Sequence, residues 1–519
     1  MNILQSEQKL KVKNYWCTWR TQETVRKNKK LNRIHNASTP DVIDEDFLFG
    51  NIGVLNTFDN EIRKDIMIVL DDGWDVEYDL KPDWRNGGND DFNSYGSFVL
   101  NENRFPSFIG EPKERLKKLN DKVKSMGYAG IGLWIAIQMP GYNANNNPSA
   151  EEAREYWEER MEWFKFADIK YLKIDWGHLS HDMEYRKMIN ETAKKIYPEI
   201  IVEQAFNQDM RDVRFKEHET QEYIDRVNEI AFYLKHGDTF RVYDAIPEFR
   251  HTTIISRTIE AFKSVQGNSQ ECNSIPNVED AVYVGAALGC TIGAMRKYCF
   301  EKLSEYNYHA AIQTPDSALK RALIWQRTAP PFEINKSDFK IYNEYVTDSY
   351  LFPYIEGNPW PFMSEKLMVQ DCCLGMSRNM ELPLIELPDD TSHGEKPYVV
   401  SSINPITHAL SIYSAPRTIG GSCFYSILAD VTVIAENSEY PIGIFGKYHQ
   451  LKFVFKNDIN IENKRVYAQD MATTEAEDIT NEVEICDNVL IIKGDTINRV
   501  GLTTKECDSE LPGMAVILK

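Results

Sequence analysis

The sequence predicts an α/β protein: a (β/α)8 barrel over residues 1–340, followed by a C-terminal antiparallel β-sandwich over 341–519. Three observations point there. From about residue 12 to 335, short apolar strand patterns alternate with helical ones, which implies a parallel sheet. Strands of that region end in acidic residues, the arrangement of a barrel whose chemistry sits at one rim. After about residue 340 the texture changes to short alternating runs punctuated by Gly, Asn and Asp.

The strand candidates are Asn14–Trp19, Asp65–Asp71, Gly130–Ala136, Lys170–Asp175, Ile200–Ala205 and Thr239–Asp244, with weaker ones near Ser264–Gly267 and Thr291–Arg296. Eight strands separated by helices fit a closed barrel better than an open sheet. No G-x-G-x-x-G opens a helix, which disfavours a dinucleotide fold. Ser149 and Glu152 form a capping-box pattern, and Ala153, Tyr156, Trp157, Met161 and Phe164 follow at helical spacing as a core stripe. An earlier helix carries Leu116, Leu119, Val123 and Met126, with Gly127 as its stop. In the C-terminal region, I-T-H-A-L-S-I-Y, Q-L-K-F-V-F-K and N-V-L-I-I-K read as strands, and the proline-rich F-P-Y-I-E-G-N-P-W-P-F as a bridge.

At 519 residues, with 42% hydrophobic and 27% charged residues, the chain can bury a sizeable core. Its net charge of −20 argues against nucleic acid or an anionic membrane as partner, because both demand clustered Lys and Arg. The N-terminus has no apolar signal-like stretch, and no apolar run is long enough to span a bilayer. The 9 cysteines are scattered without C-x-x-C. The expectation is a cytoplasmic protein with reduced thiols, able to form homo-oligomers. His178 and His181 lack a third ligand at metal spacing, so no metal is expected.

Two motifs carry the chemistry. Y-L-K-I-D-W-G ends a strand pattern in Asp175, and F-R-V-Y-D ends another in Asp244. Two carboxyl groups on different strands at one rim are what glycosidic bond cleavage requires. Lys173 and Asp175, two apart, share the interior face, and a buried Lys beside a carboxylate keeps the acid ionised, as a nucleophile needs. Asp244 is the candidate general acid; Arg241 then belongs to a sugar hydroxyl or to the nucleophile, since pairing with Asp244 would spoil its protonation. D-I-M-I-V-L-D-D-G-W delivers Asp71 and Asp72 to the same rim, suited to vicinal hydroxyls, and Gly73 turns the chain away. Glu203 in I-V-E-Q-A ends a further strand and either accepts from a sugar hydroxyl or supports the site. Trp16, Trp19, Trp74 and Trp134 lie near strand ends, and Trp16 and Trp134 are taken as sugar platforms. Cys17 reads as an inert buried thiol.

W-C-T-W (16–19), V-L-D-D-G-W (69–74), N-E-N-R-F-P (101–106), G-L-W (132–134), Y-L-K-I-D (171–175) and R-V-Y-D (241–244) occur in this order. Together they resemble the α-galactosidase/raffinose synthase clan of glycoside hydrolases over roughly residues 14–335, with W-C-T-W and R-V-Y-D nearest the raffinose-synthase-like branch. The resemblance implies Asp175 as nucleophile, Asp244 as acid/base and Asp71 with Asp72 on the C4 and C6 hydroxyls of galactose. It further implies a sugar contact for Lys173, and Arg241 and Glu203 near the C2 hydroxyl. It implies retention without metal or organic cofactor.

The chain departs from that pattern in starting its barrel almost at once, in having Ala245 where R-V-S-D-D has a second Asp, and in replacing a Cys/Gly-rich sugar loop by E-Q-A-F-N-Q-D. The expected function is therefore a retaining hydrolase of terminal α-linked galactose-like sugars on oligosaccharides or glycoconjugates. The alternatives are a transglycosidase, an α-N-acetylgalactosaminidase or β-L-arabinopyranosidase, and, from another class, a non-catalytic sugar-binding barrel.

Overall fold

The computed structural model describes residues 2–4, 13–27, 39–78, 94–142, 146–205, 220–242, 250–266, 272–297, 299, 315–335, 338–351, 365, 367–389, 394–418, 424–458 and 460–519. Eight parallel strands close into a barrel in sequence order: β1 (Tyr15–Cys17), β2 (Met67–Leu70), β3 (Ile131–Ile135), β4 (Tyr171–Ile174), β5 (Ile201–Ala205), β6 (Thr239–Arg241), β7 (Ile275–Glu279) and β8 (Thr291–Ala294). β8 pairs back onto β1, Tyr15 opposite Gly293.

The strands are buried on both faces, which is why they read as near-continuous apolar runs. Ile68, Leu70, Leu133, Leu172, Ile174, Val202 and Val278 point outward onto the helices, whereas Tyr15, Cys17, Met67, Val69, Tyr171 and Ile201 fill the interior. One strand differs from expectation. Ser264–Gly267 is not β7, because 264–266 close the helix Arg250–Gln266; β7 is Ile275–Glu279. Its run I-P-N-V-E escapes the apolar signature because Asn277 and Glu279 face the barrel interior, where their partners are polar.

The helix Ala150–Ala167 has the expected capping box at Ser149 and Glu152 and buries Ala153, Trp157, Met161 and Phe164. The helix Pro112–Ser125 buries Leu116, Leu119 and Val123, and Gly127 beyond it takes φ +95°. The sheets after residue 338 form an eight-stranded and a five-stranded layer facing one another across a common apolar core. Most pairs are antiparallel; Gly375–Arg378 with Tyr398–Ile403, Leu410–Ala415 with Ile442–Gly446, and Asp430–Ala435 with Gln450–Phe455 are parallel. F-P-Y-I-E-G-N-P-W-P-F lies outside the described residues.

The large sheet is buried on both sides. Val399, Ile412, Ile444 and Val516 face the small sheet, while Tyr398, Val400, Tyr413 and Phe445 join the barrel's outer core. The helix Asp316–Gln326 joins the two halves. Trp325 Nε1 donates to Ser411 Oγ at 2.8 Å, and its ring occupies the space a Cβ at Gly443 would need. Arg321, fully buried, pairs with Asp470 through two bonds of 2.7 and 2.9 Å and also with Glu510.

Candidate active site

Strand alternation decides what reaches the interior. On β4, Tyr171 and Lys173 point in, and Asp175 follows at the exit. Opposite Lys173 stands Glu203 on β5, and Thr239 and Arg241 rise from β6. β2 runs straight into Asp71 and Asp72, and Gly73 then turns at φ +109°, its missing Cβ leaving room for Pro40 O, which would lie 2.2 Å away.

Asp175 is gripped at both oxygens. Arg241 Nη2 donates to Oδ1 at 3.0 Å and Trp134 Nε1 to Oδ2 at 2.8 Å. Its backbone is held too: its N–H donates to Ile135 O at 3.1 Å, and Arg186 Nη2 donates to its carbonyl at 3.1 Å. The side chain keeps 14% of its surface exposed, so it meets the rim while its supports are buried.

Lys173 does not serve Asp175, contrary to expectation. Its Nζ lies 2.9 Å from Asp71 Oδ2 and 3.5 Å from Glu279 Oε1, since its long stem crosses the barrel towards β2 and β7. Burial alone would lower the Lys173 ammonium, but Asp71, Cys17 and Glu279 outweigh it and hold it well above its ordinary value. Cys17 Sγ donates to Asp71 Oδ2 at 2.8 Å, and burial with that carboxylate pushes the thiol up, in keeping with an unreactive sulfur.

Asp72 is buried, and its Oδ1 has no hydrogen-bond partner among the described residues. Burial, then the charges of Asp71 and Asp75, push its carboxyl well above the usual range; the Tyr95 hydroxyl acts against them, and Asp175 adds to the rise. Asp75 behind it is raised to about 6 by burial, and accepts from Phe98 N–H at 3.2 Å.

Glu203 sits below the rim. It is fully buried, takes 2.7 Å and 3.4 Å bonds from the Tyr171 and Tyr15 hydroxyls, and lies 3.6 Å from Arg241 Nε. In register beside Lys173 and Thr239, it stands where it supports Arg241. Trp16 is also displaced from expectation. With Tyr15 and Cys17 pointing in, alternation sends Trp16 outward, where it packs edge-on against Phe58, ring centres 5.3 Å apart. Trp74 is likewise core, stacked on Phe98.

Trp134 remains at the site, within an aromatic cluster with Tyr95 and Trp176 at 6.3 and 5.1 Å. Sequence reasoning passed over Tyr95, Trp176, Asp75 and Glu279. Trp176 stands in the Y-L-K-I-D-W-G motif itself, and Asp75 directly follows D-D-G-W. Tyr95 is brought in only by a loop. N-E-N-R-F-P proves structural: Arg104 donates to Pro40 O, Ile43 O, Val76 O and Glu77 O, tying together the backbone around β2's exit. Asp244 lies outside the described residues, two positions past Val242, so its separation from Asp175 is not part of this geometry. The loop E-Q-A-F-N-Q-D is described only as far as Ala205.

No protein-family model matches the chain, and no curated protein does. Among solved structures, a GH27 β-L-arabinopyranosidase from Geobacillus stearothermophilus aligns over 86% of this chain and 87% of its own, at 10% identity and TM-score 0.37. A putative α-N-acetylgalactosaminidase from Bacillus halodurans C-125 aligns over 95% and 98%, at 10% identity and TM-score 0.38. A putative α-galactosidase from Bacteroides fragilis aligns over 69% and 76%, at 12% identity and TM-score 0.33. Similarity at these values transfers neither family nor activity; the fold stands on the barrel's own strand pairing.

Proposed function

We propose that this chain is a retaining glycoside hydrolase of the α-galactosidase/raffinose-synthase type, removing terminal α-linked galactose-like sugars. The observation that carries the reading is Asp175: a carboxylate at a barrel strand's C-terminal exit, partly exposed, with each oxygen fixed by one buried donor, Arg241 or Trp134. The ordered motifs that surround it in sequence support the same reading.

In this mechanism Asp175 attacks the anomeric carbon while Asp244 protonates the departing oxygen. Asp244 then takes a proton from water, which releases the sugar. Asp71 and Asp72 hold sugar hydroxyls, with Lys173 orienting Asp71. Asp72 Oδ1, without a hydrogen-bond partner among the described residues, suits one of those bonds. Arg241 fixes the nucleophile, and Trp134 both fixes it and offers an indole edge to the ring. Residues 1–340 supply this chemistry, and 341–519 brace the barrel.

The test is Asp175→Ala assayed on aryl α-galactoside. Turnover is expected to vanish, and added azide to restore part of it with the β-azide as product. Full activity without azide removes Asp175 from the role. A panel of aryl α-galactoside, α-N-acetylgalactosaminide, β-L-arabinopyranoside and α-glucoside, run with and without excess sugar acceptor, then assigns the glycone and separates hydrolysis from transfer. Ligand binding without turnover across the panel would leave only a sugar-binding barrel.

A further inference from the structure

We propose that Glu279 is a positioning residue of this site: the shared anion that sets Lys173 and Arg241 at fixed places beneath the sugar. The inference rests on the glycosidase reading for its kinetic arm, but its geometry does not.

Glu279 ends β7 and points into the barrel, fully buried. Its Oε1 lies 3.5 Å from Lys173 Nζ and its Oε2 3.9 Å from Arg241 Nη1. The Tyr15 hydroxyl donates to Oε1 at 2.6 Å, fixing the carboxylate from β1. Each cation in turn holds one rim acid, Lys173 with Asp71 at 2.9 Å and Arg241 with Asp175 at 3.0 Å. Two buried cations in one barrel repel, and a carboxylate 3.5 Å from one and 3.9 Å from the other offsets that repulsion and defines their separation. The separation of Asp71 from Asp175, the sugar-gripping acid from the attacking one, is thereby set by a residue that meets neither. Glu203 contributes on Arg241's other side, at 3.6 Å from Nε, but the structure gives it no ion pair with Lys173. Only Glu279 couples the two among the described residues. A merely space-filling acid would leave kinetics and pH dependence untouched.

The experiment compares full-length wild type with Glu279→Gln, which keeps shape and removes charge. Expected are a fall in kcat/KM of about 100-fold, shared between kcat and KM, and a move of the acidic limb of the pH profile to lower pH, as a negative charge leaves the barrel. Unchanged kinetics with an unmoved limb overturn the proposal, even if the melting temperature drops. Tyr15→Phe supplies a second variant should Glu279→Gln not accumulate: it removes the 2.6 Å donor to Glu279 together with the longer 3.4 Å bond to Glu203, and a kcat/KM loss of roughly 10-fold is expected, wild-type values overturning the proposal. If wild type hydrolyses no α-glycoside, the functional reading fails by itself. Crystal structures of wild type and Glu279→Gln then decide the positioning claim: Lys173 and Arg241 displaced from Asp71 and Asp175 support it, and unchanged contacts refute it.

Discussion

Arg241 grips Asp175 twice over, once at the carboxylate and once at the chain that carries it. Its Nη2 donates to Asp175 Oδ1 at 3.0 Å and to Ile174 O at 3.2 Å, reaching from β6 to β4 across the intervening strand. A planar guanidinium makes both contacts while its Nε side faces Glu203; an ammonium cannot reproduce that spread. Arg241→Lys is therefore expected to keep the fold and lose about 100-fold in kcat on an aryl α-galactoside, about 2.7 kcal/mol of barrier. Steady-state kinetics beside a melting curve check it.

Asp75 makes stability depend on pH in a particular direction. Burial raises its carboxyl from 3.8 to about 6, so between those values the folded chain binds a proton that the unfolded chain has released. Its contribution is complete below about 3.8 and is lost as pH rises through about 6, a difference of about 3 kcal/mol. Asp75→Asn keeps an acceptor for Phe98 N–H without the charge. The variant is expected to be more stable than wild type at pH 7–8 by up to that amount, with the gain disappearing near pH 4. Paired urea titrations at several pH values measure it.

Arg321 holds two buried carboxylates, Asp470 and Glu510, at the seam between the barrel side and the β-sheets. Arg321→Ala leaves both without their main counter-charge in the interior. A loss of about 3–5 kcal/mol is expected, since the abandoned charges and not the missing contact dominate the cost. The variant should melt well below wild type and be cut sooner by protease near residues 470 and 510. A melting temperature within a degree of wild type would contradict it.

Gly293 makes room for the residue that steadies Glu279. A Cβ there would stand 2.6–2.7 Å from ring and hydroxyl atoms of Tyr15, its partner across the barrel seam. Gly293→Ala is expected to cost about 1–3 kcal/mol and to lower kcat/KM beyond what that loss explains, because Tyr15 is pushed off Glu279. Activity measured far below the melting temperature separates the two effects.

Seven of the eight barrel strands are legible in sequence because outward-facing Ile, Leu and Val alternate with an interior that is itself apolar at its lower levels. β7 is not, because its inward residues, Asn277 and Glu279, belong to the polar level and Pro276 interrupts the run. The acids at strand exits are legible for the same reason that β7 is hidden: a carboxylate after an apolar run stands out, whereas one after I-P-N-V does not. Trp16 shows the limit of proximity arguments. Position near a strand end says nothing until parity is known, and the inward Tyr15 and Cys17 settle it. Lys173 exposes another limit, since two side chains on one face need not touch when one is long enough to cross to another strand.

The indole of Trp74 donates to Trp134 O at 3.0 Å, while Trp134 donates onward to Asp175. The D-D-G-W turn, G-L-W and the acid of Y-L-K-I-D thus form one mechanical unit, though sequence separates them by 60 and 41 residues. Any effort to re-tailor the proposed sugar pocket by swapping the 71–75 segment alone would tilt Asp175, the proposed nucleophile, as well. Segments 71–75 and 132–134 have to be exchanged together.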